Sequence, residues 1–426
     1  MKKKTPWAWV PTLYFAEGLP NVIVAEVSVI MYQQLGLSNA EIAFYTSWFY
    51  LPWVIKPLWS PFIDILKTKR WWVLTMELLL GAAFAGVAFC IPTSFWLQAS
   101  ICMFWLLAFS SATHDIAADG FYMLGLDEHD QALYVGIRNT FYRIASIFGK
   151  GVLVMLAGSL QLLFRGQIKY SWSIIFYGMA GVFIGLYLWH NYTMPSPEKR
   201  TNTIKKKSSD LWHEIAETFI TFFKKPYALT AVIFMLFYRF PEALLSKISI
   251  LFLRDFPHAG GIGLSPQEYG LVYGTIGVIG LLGGGIVGGI LASKDGLKKW
   301  LWPMVLAITV PDIVYVYLSY TLTQNLFILS SCIFIEQFGY GFGFTAYTLY
   351  LIYYSQGEFK TSHYAICTGF MAASMMIPGM ISGWLEGLIG YRHYFLVVIA
   401  ACVITFIVTA LIHFDPNFGK KKIENK

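Results

Sequence analysis

Uninterrupted apolar runs of about twenty residues recur along almost the whole of this 426-residue chain. A helix needs roughly 20 mostly apolar residues to cross the hydrocarbon of a bilayer. Charged residues make up only 13% of the chain, well below the share in soluble globular proteins, and a soluble protein could not keep such a surface in water. The sequence therefore predicts an all-α membrane protein and excludes a disordered chain, a coiled coil and an ordinary soluble enzyme.

Loops that contain charged residues, proline, glycine or asparagine divide the chain into twelve predicted transmembrane helices. Each apolar run is continuous and far longer than a barrel strand, which favours helices over a β-barrel. The predicted spans are 8–33, 40–64, 72–91, 95–122, 131–160, 171–191, 227–253, 267–292, 299–321, 326–354, 361–387 and 391–413.

The longest polar stretch, 194–225, separates two predicted six-helix bundles at 1–193 and 226–414, and a basic tail follows at 415–426. Apolar residues recur at helical spacing within this linker. Their pattern predicts an amphipathic helix at the membrane surface. These residues are Leu211, Trp212, Ile215, Phe219 and Phe222.

The two predicted bundles resemble each other weakly in sequence. A glutamate lies close to a proline in the first span, at Glu17 and Pro20, and again in the seventh span, at Glu242 and Pro241. Paired six-helix halves that arise from such duplication are typical of secondary transporters.

The positions of lysine and arginine predict that both termini lie in the cytoplasm. With that orientation, 21 of the 31 basic residues fall in cytoplasmic segments, 4 fall on the opposite side and 6 lie inside spans. Cytoplasmic loops of membrane proteins carry such an excess of Lys and Arg. The net charge of +7 is therefore interpreted as a topology signal, and no nucleic-acid partner is expected.

The sequence indicates neither a cofactor nor a metal site. The five cysteines lie in apolar stretches without CxxC spacing and are interpreted as small apolar residues. The chain has no phosphate-binding loop, no HExxH motif and no GxSxG motif. These absences argue against an ATP-driven pump and against the commoner hydrolases.

Fourteen ionisable residues inside the predicted spans are candidates for a functional or structural role, since each costs about 2.5–3.5 kcal/mol there on insertion scales. Such groups need a partner or a watery cavity, and a purely structural membrane anchor needs far fewer of them. They are Glu17, Glu26, Lys56, Glu77, Asp115, Asp119, Arg138, Arg143, Lys150, Arg239, Glu242, Lys247, Asp312 and Glu336.

The hairpin of the fourth and fifth spans is the most informative of these regions. Asp115 and Asp119 are four residues apart on one helix face, so their mutual repulsion favours the binding of a proton. Counting residues from the turn places Arg138 at the depth of Asp115 and predicts that the two pair. Arg143 lies more than a helical turn deeper without an obvious partner, and its planar fork is free to bind an anionic substrate.

The other charges have both a functional and a structural interpretation. Lys56 and Glu77 lie at comparable depth, which predicts a structural pair near a gate. His114 adjoins Asp115 and could share its proton, although a single histidine is more often a hydrogen-bonded structural residue.

In the second half, Arg239 and Glu242 are expected to pair across a kink at Pro241. The complete set of substrate-binding candidates is Arg143, Glu17, Asn21, Tyr142, Arg239, Glu242 and Glu336. The proton-coupling candidates are Asp115, Asp119 and Glu336, and the gating candidates are Asp64, Lys56 and Arg138.

Several segments are similar to those of one transporter family. They are AEGLP at 16–20, LPWVIKPLWSPFID at 51–64, HDIAADG at 114–120, Tyr142 with Arg143, Glu336 with the glycines after it, SHYA at 362–365 and SGW at 382–384. In these segments and in its six-plus-six plan, the chain resembles the AmpG-type muropeptide permeases of the major facilitator superfamily. The resemblance extends over nearly the whole chain.

This resemblance implies a proton-driven symporter of the bacterial inner membrane that imports N-acetylglucosaminyl-anhydro-N-acetylmuramyl peptides for cell-wall recycling. It also implies that the paired aspartates, Asp115 and Asp119, are important for transport. The expected partners are the small-molecule substrate, protons and the lipid bilayer, and a monomer is expected. The substrate is expected to bind at the midplane between two halves that rock to expose it alternately.

Two other functions remain open from the sequence. One is a carrier of the same fold for another oligosaccharide or anionic solute. The other is an integral-membrane transferase that acts on a lipid-linked sugar. A transferase would need buried acid–base groups beside a metal or phosphate site, which Asp115 and Asp119 alone do not supply.

Overall fold

The computed structural model describes residues 5–60, 62–63, 67–126, 128–196, 208–357, 360–415 and 418. Helices are the only regular secondary structure within these ranges. The prediction of an all-α membrane protein is therefore confirmed.

The twelve predicted spans correspond to helices or groups of helices. Ten helical segments of the described chain are long and apolar enough to cross a membrane. One of them, Ser362–Leu411, has 50 residues and holds two spans, because Gly390 interrupts it with a φ of +71°. The second span is not among the ten because it is built of shorter pieces, Asn39–Trp48, Leu51–Ile55 and the 3-10 turn Lys56–Leu58. Twelve spans therefore fit the observed helices.

The other spans begin and end within a few residues of the predicted bounds. In the first half they are Pro6–Gln34, Lys69–Cys90, Trp96–Gly125, 128–163 and Ile168–Thr193. In the second half they are Ala228–Arg254, Pro266–Asp295, Leu297–Thr321 and Leu326–Ser355, followed by the long segment that Gly390 divides.

Local irregularities shape the spans that carry the charged residues. Pro52 and Pro57 lack backbone N–H donors and lie where the second span breaks into short helices. The seventh span breaks between Ala228–Phe237 and Phe240–Arg254, immediately before Pro241, which confirms the predicted interruption there. Such breaks change the direction in which the side chains after them point.

In the described part of the chain, three spans contain a π-helical turn. These turns are Ile23–Val27 in the first span, Phe148–Leu153 in the fifth and Val272–Gly277 in the eighth. A π turn inserts an extra residue into an α-helix and is frequent at functional sites. The first two of these turns carry Glu26 and Lys150, respectively.

The second and the eighth spans start with the same six-residue pattern, which the sequence interpretation missed. The pattern is GLSNAE at 36–41 and GLSPQE at 263–268. In both copies the glycine has a positive φ, of +92° and +84°, and the serine and glutamate form a reciprocal helix cap. This repeated capping box is a stronger sign of duplication than the glutamate–proline pairs.

The chain forms two compact units. The first comprises Met1–Gly36 and Phe49–Ala216, and the second comprises Leu37–Trp48 and Glu217–Lys426. Each has its own apolar core. In the first, Leu13, Phe121 and other residues pack together, and in the second, Phe234 and Tyr350 lie at the centre of a larger cluster. The helix Asn39–Trp48 therefore belongs to the second unit, although it precedes most of the first in sequence.

Small residues hold that helix against the eleventh span. A methyl group added at Gly383 would lie 2.2 Å from the carbonyl oxygen of Asn39, and one added at Gly379 would lie 2.5 Å from the hydroxyl of Ser47. The Asn39 amide also donates to Glu386 at 3.0 Å. Close backbone approach and polar contacts together fix this helix within the second unit.

The predicted linker helix is present at Ser208–Phe223. Its last turn is built into the core of the second unit, where Phe222 is fully buried and packs against Tyr354 and Phe370. Lys225 follows and donates to the carbonyls of Tyr354 and Gln356 at 2.6 and 2.8 Å. This end of the linker is therefore held by protein, where the sequence predicted a helix on the membrane surface.

Candidate functional site

Two ion pairs lie side by side in the first unit. The Lys56 ammonium contacts the Asp115 carboxylate at 2.5 Å, and the Arg138 guanidinium contacts the Asp119 carboxylate at 2.8 Å. The side chains are 18–38% exposed, so these charges are partly accessible within a membrane-spanning segment. The structure therefore brings both predicted proton-coupling aspartates together with two of the predicted gating residues.

The predicted pairing of Asp115 with Arg138 is wrong, and so is the predicted pairing of Lys56 with Glu77. Asp115 and Asp119 are one turn apart, and residue counting from a hairpin locates depth only to about a turn. The count also omitted the second span, whose break at Lys56 directs the ammonium to Asp115. Charges from a third helix cannot be found by counting along two.

An aromatic side chain supports the second ion pair. The Tyr14 hydroxyl donates to Asp119 at 3.1 Å, and the Arg138 guanidinium lies over the Tyr14 ring at 4.5 Å from its centroid. Arg138 also lies 5.6 Å from the ring centroid of Tyr122. These contacts fix the guanidinium in one orientation.

The carboxyl group of Glu17 lies beside the carboxyl group of Asp115, and one of its oxygens has no hydrogen-bond partner among the described residues. Two neighbouring carboxylates repel each other, which favours the binding of a proton by one of them. Next to Glu17, a methyl group at Gly18 would lie only 2.9 Å from the backbone carbonyl oxygen of Tyr142. The first and fifth spans therefore approach closely beside this pair of acids.

The remaining first-unit candidates have other surroundings. Arg143 and Asn21 are half-buried, and within the described residues neither makes a hydrogen bond or an ion pair. Asp64 lies outside the described residues. The role of Arg143 in binding an anionic group stays a prediction.

In the second unit, Arg239 lies among aromatic side chains. Its guanidinium donates to the Tyr340 hydroxyl and lies 4.7 Å from the ring centroid of Phe344 and 6.0 Å from that of Tyr347. Arg239 is the residue at which the seventh span breaks. A guanidinium held between rings in this way combines a positive charge with flat apolar surfaces.

Three buried carboxylates meet elsewhere in the second unit. Glu242, Asp312 and Glu336 each offer an oxygen within 4.8 Å of the others. Tyr315 donates to Glu336 at 3.2 Å, and Gln337 donates to it at 3.0 Å. Three buried carboxylates at this spacing repel one another strongly. At least one of them must carry a proton unless a cation lies between them. Asp312 was noted from the sequence as a charge inside a span but was given no role, because no motif connects it with the other two.

Sequence reasoning missed two further polar contacts in the first unit. Lys150 and Glu26 form an ion pair at 2.7 Å between the two π-helical turns. Glu77 contacts His190 at 2.5 Å in a fully buried setting. Both acids were noted as charges inside spans, but the sequence carries no signal that connects them with partners on distant helices.

Comparisons with known proteins agree with the architecture. The family model of the Major Facilitator Superfamily matches residues 12–355 and 249–426. The chain is 24% identical to the anhydromuropeptide permease of Escherichia coli strain K12, over 92% of this chain and 76% of that protein. It is also 24% identical to putative transporter AmpG 4 of Rickettsia conorii, over 90% of this chain and 91% of that protein.

Solved structures show the same fold. The crystal structure of a D-xylose-proton symporter superposes with a TM-score of 0.69 at 12% identity, over 93% of this chain and 96% of the symporter. The two overlapping matches to the family model, the twelve spans and this likeness lead to one conclusion. The chain is a multi-pass membrane transporter and belongs to the major facilitator superfamily.

Proposed function

We propose that this protein is a proton-coupled secondary transporter that imports anhydro-muropeptides or related amino-sugar conjugates for cell-wall recycling. The observation that carries the proton part is the ion pair of Asp115 with Lys56, with the carboxyl group of Glu17 beside it. The substrate class follows from the relatives named as anhydromuropeptide permease and AmpG transporters. A third support is the family itself, which is one of membrane carriers.

Proton binding at Asp115 would change its contact with Lys56. The ammonium bonds an ionised carboxylate strongly, and a protonated Asp115 would release it. The ion pair of Arg138 with Asp119 would respond in the same way one turn along the helix. Each proton taken up would therefore free a cation, and the freed cation is the coupling element of this mechanism.

The substrate carries carboxylates on its peptide and hydroxyl groups on its sugars, and the first unit offers groups for both. Arg143 would bind a carboxylate with its planar fork. Asn21 and Tyr142 would donate to or accept from polar groups of the sugar or peptide. These residues lie on the first and fifth spans, next to Glu17.

The second unit would contribute a surface and further protons. Arg239, held among Tyr340 and Phe344, would present a charge and ring faces to the substrate. Glu336 would hold a proton shared with Glu242 and Asp312, because the three cannot all be ionised.

The proposed location is the bacterial inner membrane with both termini in the cytoplasm, as the distribution of Lys and Arg indicates. The proposed functional form is a monomer, and its partners are the solute, protons and the bilayer. Import is favoured because recycled wall fragments arise outside this membrane and are reused inside the cell.

The test is uptake of labelled anhydro-muropeptide into proteoliposomes with an imposed proton gradient. Wild-type protein is expected to accumulate the label only when the gradient is present. Asp115→Asn is expected to abolish accumulation but to keep exchange of substrate across a membrane without a gradient, since exchange needs no net proton transfer. Asp295→Asn is the matched control, because Asp295 forms a surface pair with Lys299 at 3.0 Å that contributes little.

Lack of gradient-dependent accumulation by the wild-type protein would contradict the proton part of the proposal. Competition with a panel of cell-wall fragments, oligosaccharides and anionic solutes separates the proposed substrate from the alternative carrier. If a sugar without a peptide competes better than an anhydro-muropeptide, the alternative carrier is correct.

A further inference from the structure

The ion pair of Glu26 with Lys150 joins the two charged π-helical turns of the first unit. The Lys150 ammonium contacts the Glu26 carboxylate at 2.7 Å. Each charge lies in a π-helical turn, one in the first span and one in the fifth. A methyl group at Gly149 would lie 2.8 Å from a side-chain carbon of Val22, so the two turns pack closely. Charged π-helical turns inside membrane spans indicate a functional site.

The first span is enclosed by protein except along one narrow strip. Within 13–32, every residue is buried except Phe15, Asn21 and Glu26. Two of these three side chains are polar, and polar side chains are costly in contact with lipid. The strip therefore faces a polar space, which Glu26 reaches with a side chain that is 25% exposed.

The fifth span directs Lys150 away from lipid. This span exposes apolar side chains, among them Ile144, Val152 and Leu156, as expected of a surface that faces the hydrocarbon. The side chain of Lys150 is only 10% exposed, and its ammonium contacts the first span at the polar strip. Both charges of the pair are therefore available to the polar space and shielded from lipid.

The pair extends the set of groups proposed to bind the substrate. Glu26 follows Asn21 by five residues in the first span, and Lys150 follows Arg143 by seven residues in the fifth. At a helical rise of 1.5 Å per residue, the pair lies about 8–10 Å further along both spans. An extended peptide of about three residues covers that distance.

Charge balance selects the kind of group that the pair can bind. A lone carboxylate on Lys150 would take that ammonium away from Glu26, and a lone ammonium on Glu26 would take that carboxylate away from Lys150. Breaking an ion pair in this way is costly inside a membrane protein. A zwitterion replaces both contacts at once, because its ammonium contacts Glu26 while its carboxylate contacts Lys150.

We propose that Glu26 and Lys150 form a binding subsite for a zwitterionic amino-acid group, which is an ammonium and a carboxylate attached to the same carbon atom. The pair opens when such a group enters and closes again when it leaves. In the proposed transporter, this subsite binds the end of the peptide and selects substrates with a free ammonium beside a carboxylate. That role rests on the proposed function, whereas the binding of a zwitterion by the pair does not.

The test measures affinity for the full-length protein in nanodiscs from the shift of its thermal midpoint with ligand concentration. The probe is an anhydro-muropeptide whose last residue is lysine, joined through its side-chain amine so that its α-ammonium and carboxylate are free. Two derivatives block one charge each, by acetylation of the ammonium or by amidation of the carboxylate. The wild-type protein should bind each derivative about tenfold more weakly than the probe, because one charge-assisted contact is lost.

Each single variant should lose one half of this discrimination. Glu26→Gln should no longer distinguish the acetylated derivative from the probe, and Lys150→Gln should no longer distinguish the amidated derivative. Lys299→Gln is the matched control, because Lys299 pairs with Asp295 at the surface of the second unit. This control should keep the discrimination of the wild-type protein.

A charge swap separates ligand binding from a structural role. The double variant Glu26→Lys with Lys150→Glu keeps an ion pair but exchanges the positions of its charges. We expect its thermal midpoint without ligand to stay close to that of the wild type, and its affinity for the probe to fall about tenfold. Affinity and discrimination equal to those of the wild type would show a purely structural pair and overturn the proposal. If the swapped protein does not fold, the single variants decide.

The subsite and the proposed function can fail separately. Equal wild-type affinities for the probe and both derivatives, with normal gradient-driven uptake, would overturn the subsite and leave the proposed function in place. A tripeptide with the same lysine end but no sugar covers the opposite case. If the wild-type protein does not accumulate anhydro-muropeptide but distinguishes this tripeptide from its blocked forms through Glu26 and Lys150, the subsite stands and the proposed substrate is wrong. Binding of neither ligand would overturn both.

Discussion

Asp115 and Asp119 are one helical turn apart, yet each takes a different cation from a different span. Lys56 arrives from the broken second span, and Arg138 arrives from the fifth and stacks on Tyr14. The side-chain chemistry of these residues predicted that they need partners. Which cation each aspartate contacts depends on helix breaks and on small rotations of the helices, which move a side chain by a few ångströms.

Arg138 and Arg143 should respond differently to the loss of charge. Arg143→Gln removes a cation without a described partner and should raise KM for an anionic substrate about tenfold, with the thermal midpoint of unfolding unchanged. Arg138→Gln leaves Asp119 without its cation and should lower stability by about 1–3 kcal/mol. Transport kinetics and thermal unfolding in detergent measure the two effects. If Arg143→Gln unfolds early while KM is unchanged, Arg143 is structural.

Irregular elements position several of the charged residues. Two π-helical turns carry Glu26 and Lys150, and a 3-10 turn carries Lys56. Regular α-helices keep side chains on fixed faces, whereas an extra or missing residue in a turn rotates everything after it. Such irregular turns are therefore places where a helix can re-aim a charge during a conformational change.

Lys225 holds the C-terminal end of the linker in place. Its ammonium donates to carbonyl oxygens at the end of the tenth span, where the negative end of a helix dipole favours a cation. Burial lowers the pKa of the Lys225 ammonium. The last turn of the linker helix is thereby tied to the second unit.

Close helix contact in the second unit can be tested with two glycines one turn apart. Gly383→Ala should clash with the Asn39 carbonyl, 2.2 Å from the added methyl group, and should lower stability by about 1–3 kcal/mol. Gly387→Ala is the matched control, because no atom lies within 4 Å of a methyl group there. Equal thermal midpoints for the two variants would show that the helix Asn39–Trp48 does not pack as described.

At the scale of the whole molecule, duplication relates the two halves while the chemistry differs. Phe15-Ala16-Glu17 corresponds to Phe240-Pro241-Glu242, so the preceding residues Tyr14 and Arg239 occupy the same position in the repeat. Tyr14 is the ring under an arginine in the first unit, and Arg239 is the arginine over rings in the second. Glu17 and Glu242 both meet other carboxyl groups. The two halves therefore share a scaffold, but the position that holds an aromatic ring in the first half holds an arginine in the second.

Membrane orientation is a property of the whole chain and can be measured directly. Reporter fusions at either terminus should be active only in the cytoplasm, because 21 of the 31 basic residues lie in the segments assigned to that side. A reporter placed in the predicted outer loop at 165–169 should give the opposite result. Reporters at the two termini that indicate different sides would contradict an even number of spans.

The sequence alone determined the membrane class, the number of spans and most of their bounds. Continuous apolar runs and charged loops act through local transfer free energies, which need no tertiary information. It also determined which residues are costly in a membrane, and hence the list that contains Glu17, Asp115 and Asp119. The segments that resemble the permease family supported the same assignment.

Only the tertiary structure decided the partners. The contacts of Lys56 with Asp115 and of Glu77 with His190 join residues far apart in sequence. The meeting of Glu242, Asp312 and Glu336 likewise depends on three separate spans. The physical reason is that a charge in a membrane must find a partner within a few ångströms, and that distance depends on the rotation, tilt and local breaks of several helices at once, which no single segment of the sequence specifies.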